Sequence, residues 1–260
     1  MALTNKTIAS TYGDILQADN SGSGRTANGT VIKDGLGQST ALTLGQNKVA
    51  ITPSSDSTSA LTVETSGGTD LLVVDSTNSA VKVGATQTYA NTQIKEFGVF
   101  DISPAAGFHY PLVAMNGIYA ALGATFVSFT FGSGTDPDDS YTISSGAGYL
   151  LALQWYIPVA ITIDEVRVIA QTDAADTLNF HLKSYTIATG TGSGAGDLSS
   201  GTLLAHNGST LTTGDDRVTS TTLTVDSGNV AADKVVIAFV ENVTGTNDIT
   251  AQLIVKYHYQ

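Results

Sequence analysis

The sequence predicts an all-β protein, with short strands in its first third and a jelly-roll-like β-sandwich in the remainder. Three observations support this. Val, Ile and Thr recur along the whole chain and suit a pleated, half-buried surface better than a helix. Turn-forming steps such as Asn28-Gly29 and Asp34-Gly35 punctuate the chain every few residues. Near the end, Leu253, Val255, Tyr257 and Tyr259 alternate with Ile254, Lys256 and His258, the period of a half-buried strand.

The first segment, Thr7 to Ser55, breaks repeatedly at turn signals. Ile8, Tyr12, Ile15 and Leu16 have helical spacing, but Gly13 and the surrounding Ser and Thr favour strand. Ala41, Leu42 and Leu44, then Val49 and Ile51, make short strands with too little bulk for a core of their own. The stretch LTVETSGGTDLLVVDSTNSAVKVG, Leu61 to Gly84, predicts a hairpin with a two-residue Gly67-Gly68 turn that pairs Leu61 with Val74 and Val63 with Leu72. Four aliphatic side chains then share one face, while Thr62, Glu64, Leu71 and Val73 take the other. A ribbon of this size is marginal in water unless something covers it. Asp75 to Ser79 turns the chain, and Ala80, Val81 and Val83 add a further strand.

Beyond Tyr89 the aromatic residues arrive, from Phe97 and Phe100 to Phe129 and Phe131, and supply bulk for a real core. The predicted organisation is therefore residues 1–52 as an attachment region, 53–90 as a β shaft element and 91–260 as a β-sandwich head, with a subdivision near 148. Ile118 to Leu122 fits a helix or a strand pair, and Ala124 to Phe131 a strand. Tyr149 to Ile163, interrupted by Gln154 and Pro158, is read as buried strand and is too short for a membrane helix. Longer strands follow in Thr162–Ala170, Thr177–Ile187, Thr219–Ser227, Asp233–Asn242 and Ile249–Tyr259. Their loops are polar, the longest being Ala188 to Gly201.

Charge narrows the function. With 11 basic and 23 acidic residues the net charge is −12, which repels phosphate backbones and anionic lipid, so neither nucleic-acid binding nor membrane insertion is expected. Charged residues make up only 13% of the chain, so solubility rests on hydroxyls and amides. The absence of Cys excludes disulfides, thiolate metal sites and cysteine nucleophiles. The N-terminal MALTNKTIAS lacks the apolar run of a secretory signal.

The search for chemistry yields no catalytic, cofactor-binding or metal residues, and an enzyme is not expected. His109, His181, His206 and His258 are far apart in sequence and read as structural. Asp136, Asp138 and Asp139, and likewise Asp215 and Asp216, lie in turns whose spacing matches no calcium loop; they read as solvated turns capping their own backbone. The glycine loop Gly190 to Gly196 lacks the helix and Lys of a phosphate cradle. Sequons at Asn5, Asn28, Asn207 and Asn242 are expected by chance in so hydroxyl-rich a chain. Trp155, with Tyr156 beside it, sits in the most apolar segment, which makes it a core residue rather than a sugar platform.

Leu61 to Gly84 resembles the recurring shaft element of bacteriophage fibre proteins: a strand, a glycine turn, a strand ending in Val-Asp, a polar turn and a Val-x-Val-Gly close. The N-terminal portion, LTNKTIASTYGDILQADNSGSG to NKVAI, is similar to that of many phage fibre and virion surface proteins. The likeness covers roughly the first 85 residues, with one clear shaft element in place of a long array. It implies a homotrimer, docked on capsid or tail proteins through its N-terminal region, with the C-terminal domain turned outwards, and it carries over no catalytic residues. The expected function is thus a structural one: a head fibre, decoration protein or short tail fibre at the virion surface, assembled in the bacterial cytoplasm, with host-surface glycan as a possible contact. The alternative is a carbohydrate-binding adhesin module; a polysaccharide-degrading tailspike fits less well.

Overall fold

The computed structural model describes residues 17–18, 27, 29–34, 36–86, 88–114, 129–143 and 147–260. Among these nearly all regular secondary structure is strand, and the chain divides into two units, Met1–Ala90 and Asn91–Gln260. The expectations for Ile8 to Leu16 and for Ile118 to Leu122 lie outside the described residues.

The N-terminal unit holds two small antiparallel sheets. In the first, β1 (Gln17–Ala18), β2 (Thr30–Lys33), β3 (Ser39–Leu44) and β4 (Val49–Ile51) follow one another in order. The Asp34 carboxylate shapes the β2–β3 turn by accepting the amides of Leu36 at 3.0 Å and Gln38 at 2.8 Å. The second sheet runs β5 (Leu61–Glu64), β6 (Asp70–Asp75), β7 (Ala80–Val83) and β8 (Thr88–Tyr89). The register pairs Leu61 with Val74 and Val63 with Leu72, as the sequence predicts.

The turn itself differs from the two-residue expectation. Thr65 and Thr69 pair across a three-residue loop in which the Gly68 amide bonds back to the Thr65 carbonyl, with Gly68 at φ +78°. A register shift between Val63 and Glu64 then takes up one extra residue, Leu71, on the returning strand. The loop and the bulge offset one another, which is why the apolar pairs still meet.

The C-terminal unit is one continuous antiparallel sheet, nearly closed into a barrel. Its long strands are β9 (Thr92–Ile102), β13 (Ile161–Thr172), β14 (Thr177–Ile187), β15 (Leu198–His206), β17 (Thr219–Val225), β19 (Lys234–Asn242) and β20 (Ile249–Tyr259). The short ones are β10 (His109–Pro111), β11 (Val113–Ala114), β12 (Trp155–Ile157), β16 (Leu211–Thr212) and β18 (Asn229–Val230). Neighbours run β10-β19-β14-β15-β17-β13-β20-β9-β11. The two ends of that path are adjacent in sequence. Tyr110 pairs with Val240, the Leu112 amide bonds to the Ala238 carbonyl at 2.8 Å, and Val113 pairs with Gly98. Six consecutive residues thus seal β19 to β9. On the opposite side the join is only Ala205 with Val225 and His206 with Thr224. Where the sequence predicts a jelly-roll-like sandwich, these two joins run the strands of an all-β domain into a single, nearly closed sheet.

The interior is a single apolar cluster that includes Phe97, Val166, Val168, Phe180, Leu182, Val236, Ala238, Leu253 and Val255, all fully buried. Trp155 bridges it from one half of the barrel to the other, its ring 6.5 Å from Phe97 and 4.8 Å from Tyr257. Two segments depart from expectation. The stretch read as strand from Tyr149 begins as a helix, α1 (Ala147–Leu153), because Leu and Ala are strong helix formers and burying Leu150 and Leu153 three residues apart leaves Leu151 outside. Phe129 to Phe131, expected to end a strand, instead opens a strap described next.

Candidate functional site

The N-terminal unit presents an apolar surface that nothing in the described chain buries. Register places Leu61, Val74 and Val81 in one row across the ribbon and Val63, Leu72 and Val83 in the next, all on one face. None of the six is buried, and Val63, Val81 and Val83 expose 47%, 43% and 42% of their surface. The opposite face is closed locally. Val73 lies under the Lys82 and Tyr89 side, and the Asp75 carboxylate takes Lys82 at 3.1 Å and the Asn78 side chain at 2.8 Å. Those bonds, from Asn78 first and then Lys82, hold Asp75 down to about 2. Among the described residues of this unit Val73 is the one aliphatic side chain that is buried. The first sheet repeats the pattern, with Leu42 opposite Ile51 and Leu44 opposite Val49 and both β4 side chains exposed.

In the C-terminal unit, residues 129–143 form a strap over the outer face of the barrel. At its start, the Phe131 amide bonds to the His109 carbonyl and the His109 amide to the Gly132 carbonyl, extending the sheet beside β10. At its end Tyr141 and Leu198 exchange both backbone bonds. Between these anchors the outward side chains of β14 meet successive strap residues, because alternate residues of a strand share a face. His181 approaches Asp136 at 3.5 Å; Lys183 donates to the Pro137 carbonyl and meets the Asp139 carboxylate at 2.6 Å; the Tyr185 hydroxyl donates to the Asp138 carbonyl at 2.9 Å. Phe131 is fully buried, stacked on Tyr141 at 4.6 Å and edge-on to Phe239 at 4.8 Å. Gly201 permits the close approach, since a Cβ there would lie 2.8 Å from the Asp139 Cα.

Three of the four histidines converge under this strap. The rings of His109 and His181 meet edge-on at 4.9 Å, and His181 lies flat against His206 at 6.5 Å. Sequence reading missed this, although one signal was there: folding β14 and β15 about their glycine loop sets His181 opposite His206. His109 joins them only through the barrel closure, which no local pattern encodes. His109 Nε2 contacts the Gly134 carbonyl at 2.9 Å, so it carries the proton and Nδ1 keeps a lone pair. Nδ1 of His109 and Nδ1 of His181 are both buried without a partner among the described residues. Burial first, then the neighbouring His109, His206 and Lys183, hold His181 down to about 3. Among the described residues no group of His, Asp or Glu has the geometry to hold a metal ion.

The remaining candidates fall apart. His258 pairs with Asp164 at 2.9 Å on the other side of the sheet. Asp216 accepts the Gln171 side chain at 3.0 Å. The glycine loop leads from β14 into β15 with no helix after it, and Asp197 closes it by accepting the Ile143 amide. Asn207 and Asn242 are buried and hydrogen-bonded, so their sequons are inaccessible in the fold, while Asn5 and Asn28 lie outside the described residues. One exposed groove of about 420 Å³ lies on the outer face of β9, β20 and β13, lined by Gly98, Phe100, Ile169, Gln171, Val218 and Gln252, with Phe100 exposed by 70%.

No known family model matches the chain, and no curated protein matches it. Among solved structures, that of infectious bursal disease virus Gx strain is similar over 68% of this chain and 34% of that one, with 8% identity and a TM-score of 0.25. The chain thus spans about a third of the length of the chain it matches. A likeness that distant carries nothing over to this protein.

Proposed function

We propose that this chain is a structural protein of a bacteriophage virion, a homotrimeric fibre or spike displayed on the particle. Its N-terminal region attaches to capsid or tail proteins, the β5–β7 ribbons of three chains cover one another, and the C-terminal barrel faces outwards as decoration or to meet host-surface glycan. The observation that supports this reading best is the doubled row of Leu61, Val74 and Val81 with Val63, Leu72 and Val83, left unburied among the described residues. Each such side chain gains about 1.5–3 kcal/mol on complete burial, so pooling three copies of the face offsets the loss of freedom on association. The resemblance of Leu61 to Gly84 to phage shaft elements selects three copies.

The test is light scattering on the purified full chain. Three times the 26.7 kDa chain mass is expected, and conversion to single chains when Val63 and Leu72 are both replaced by Glu. A wild-type monomer at every concentration would remove the reading.

One observation favours the second reading, a carbohydrate-binding adhesin. The exposed Phe100 ring beside Gly98, with Gln171 and Gln252 across the groove, offers an apolar platform flanked by amides, which suits a sugar ring. A glycan-array signal abolished by Phe100→Ala, on a chain that is monomeric, would favour it over the spike.

A further inference from the structure

The buried histidines are more than filler. His109 and His181 sit where the strap crosses the barrel, and both reach it: His109 Nε2 bonds to the Gly134 carbonyl, and His181 Nε2 lies 3.5 Å from the Asp136 carboxylate. Each can do so while neutral. A second proton on either ring would land on an Nδ1 that is buried and has no acceptor among the described residues. We propose that residues 129–143 are an acid-released latch: neutral His181, packed edge-on against His109, holds the strap on the barrel, and protonating it unseats the strap while the barrel stays closed.

The charged groups around the pair leave the added proton without compensation. From β14, Lys183 already brings a positive charge to the same face, only two residues from His181. Of the carboxylates, Asp139 is engaged by that Lys at 2.6 Å, and Glu241 of β19 by the Asn179 side chain at 2.9 Å. Asp226 is taken by His206 of β15 at 2.7 Å. Asp138 lies folded over Gly132. Asp136 does face His181, at 3.5 Å, but it approaches Nε2 rather than the unpartnered Nδ1, and its side chain is 47% exposed and so screened. Tyr185 and Tyr141, the other titratable neighbours, are pushed upward by burial and remain neutral throughout the acid range. Only the strap can yield cheaply. Its backbone bonds to the barrel are few, at β10, at Leu198 and at Gly201, with Phe131 and the contacts of Lys183 and Tyr185 between them, whereas β14 and β19 share nine consecutive paired positions.

The sign follows from His181. Held at about 3 in the closed state and free to return to 6.5 once the strap lifts, it favours closure above pH 6.5 and opening progressively below it. Between about pH 7.5 and about pH 5 this linkage multiplies the open fraction about thirtyfold. Hydrogen exchange by mass spectrometry on the full chain, corrected for intrinsic rates, should show amides of 131–141 losing protection by that factor, reversibly, while β13 and β20 keep theirs. His181→Gln should flatten the response; if that variant fails to fold, as β13 protection reports, His181→Phe is measured in its place. Equal strap protection at both pH values would overturn the proposal. So would simultaneous loss in strap and barrel, or a full response in the variant without the imidazole.

Discussion

Two single positions show how closely this fold ties local chemistry to outcome. Gly201 lies where β15 passes beneath the strap, with Asp139 Cα and Lys183 Cε each 2.8 Å from where a Cβ would stand. Backbone cannot retreat from such a contact as a flexible side chain can. Gly201→Ala is expected to cost about 1–3 kcal/mol, the usual range for overpacking, read as a lowered denaturant midpoint. An unchanged midpoint would mean the strap rides further from β15 than described. Asp75 belongs to the N-terminal unit and is held at about 2 by Asn78 and Lys82, below its ordinary 3.8. A carboxylate lowered on folding contributes stability that is complete above its unfolded value and is lost as pH falls through the folded one. Between about pH 4 and about pH 2 the ribbon should therefore weaken, and Asp75→Asn should remove that acid dependence in a pH series of thermal melts.

Among the elements, the strap depends on its aromatic anchor more than on its ion pairs. Phe131 is fully buried between Tyr141 and Phe239, and truncating such a ring typically costs about 3–5 kcal/mol. Asp139 is largely exposed, so its pair with Lys183 is screened and worth much less. Phe131→Ala should accordingly strip protection from the whole strap in hydrogen exchange, whereas Asp139→Asn should leave most of it. Elements of this kind mark where sequence reading stops. The register of β5 with β6 was legible because every apolar residue of the hairpin lies within one turn of its partner. Strands β13 and β19 were legible because Val and Ile recur through them and have little alternative to sheet, and β20 because its apolar residues alternate. Helix α1 was not, since a seven-residue apolar run carries too few periods to separate helix from strand. Strap and histidine row were illegible for a different reason: His109 meets His181 only once the barrel has closed, and closure depends on six residues changing partner from β19 to β9.

At the scale of the whole molecule, the two units face opposite problems. The C-terminal unit builds a single continuous apolar cluster from residues of one chain. The N-terminal unit buries one aliphatic side chain among its described residues and holds its strands together largely by backbone bonds and turn chemistry. A domain that completes itself melts at a temperature independent of concentration, whereas one that is completed by other copies melts higher as concentration rises, because association favours the folded form by mass action. Calorimetry over a hundredfold range of protein concentration should thus resolve two transitions. The barrel transition should stay fixed, and the ribbon transition should climb by several degrees. Introducing Glu at Val63 and Leu72 should abolish that climb and leave the barrel transition in place. If both transitions prove independent of concentration, each unit is complete in a single chain, and the six aliphatic side chains of the ribbon must be accounted for without a second copy.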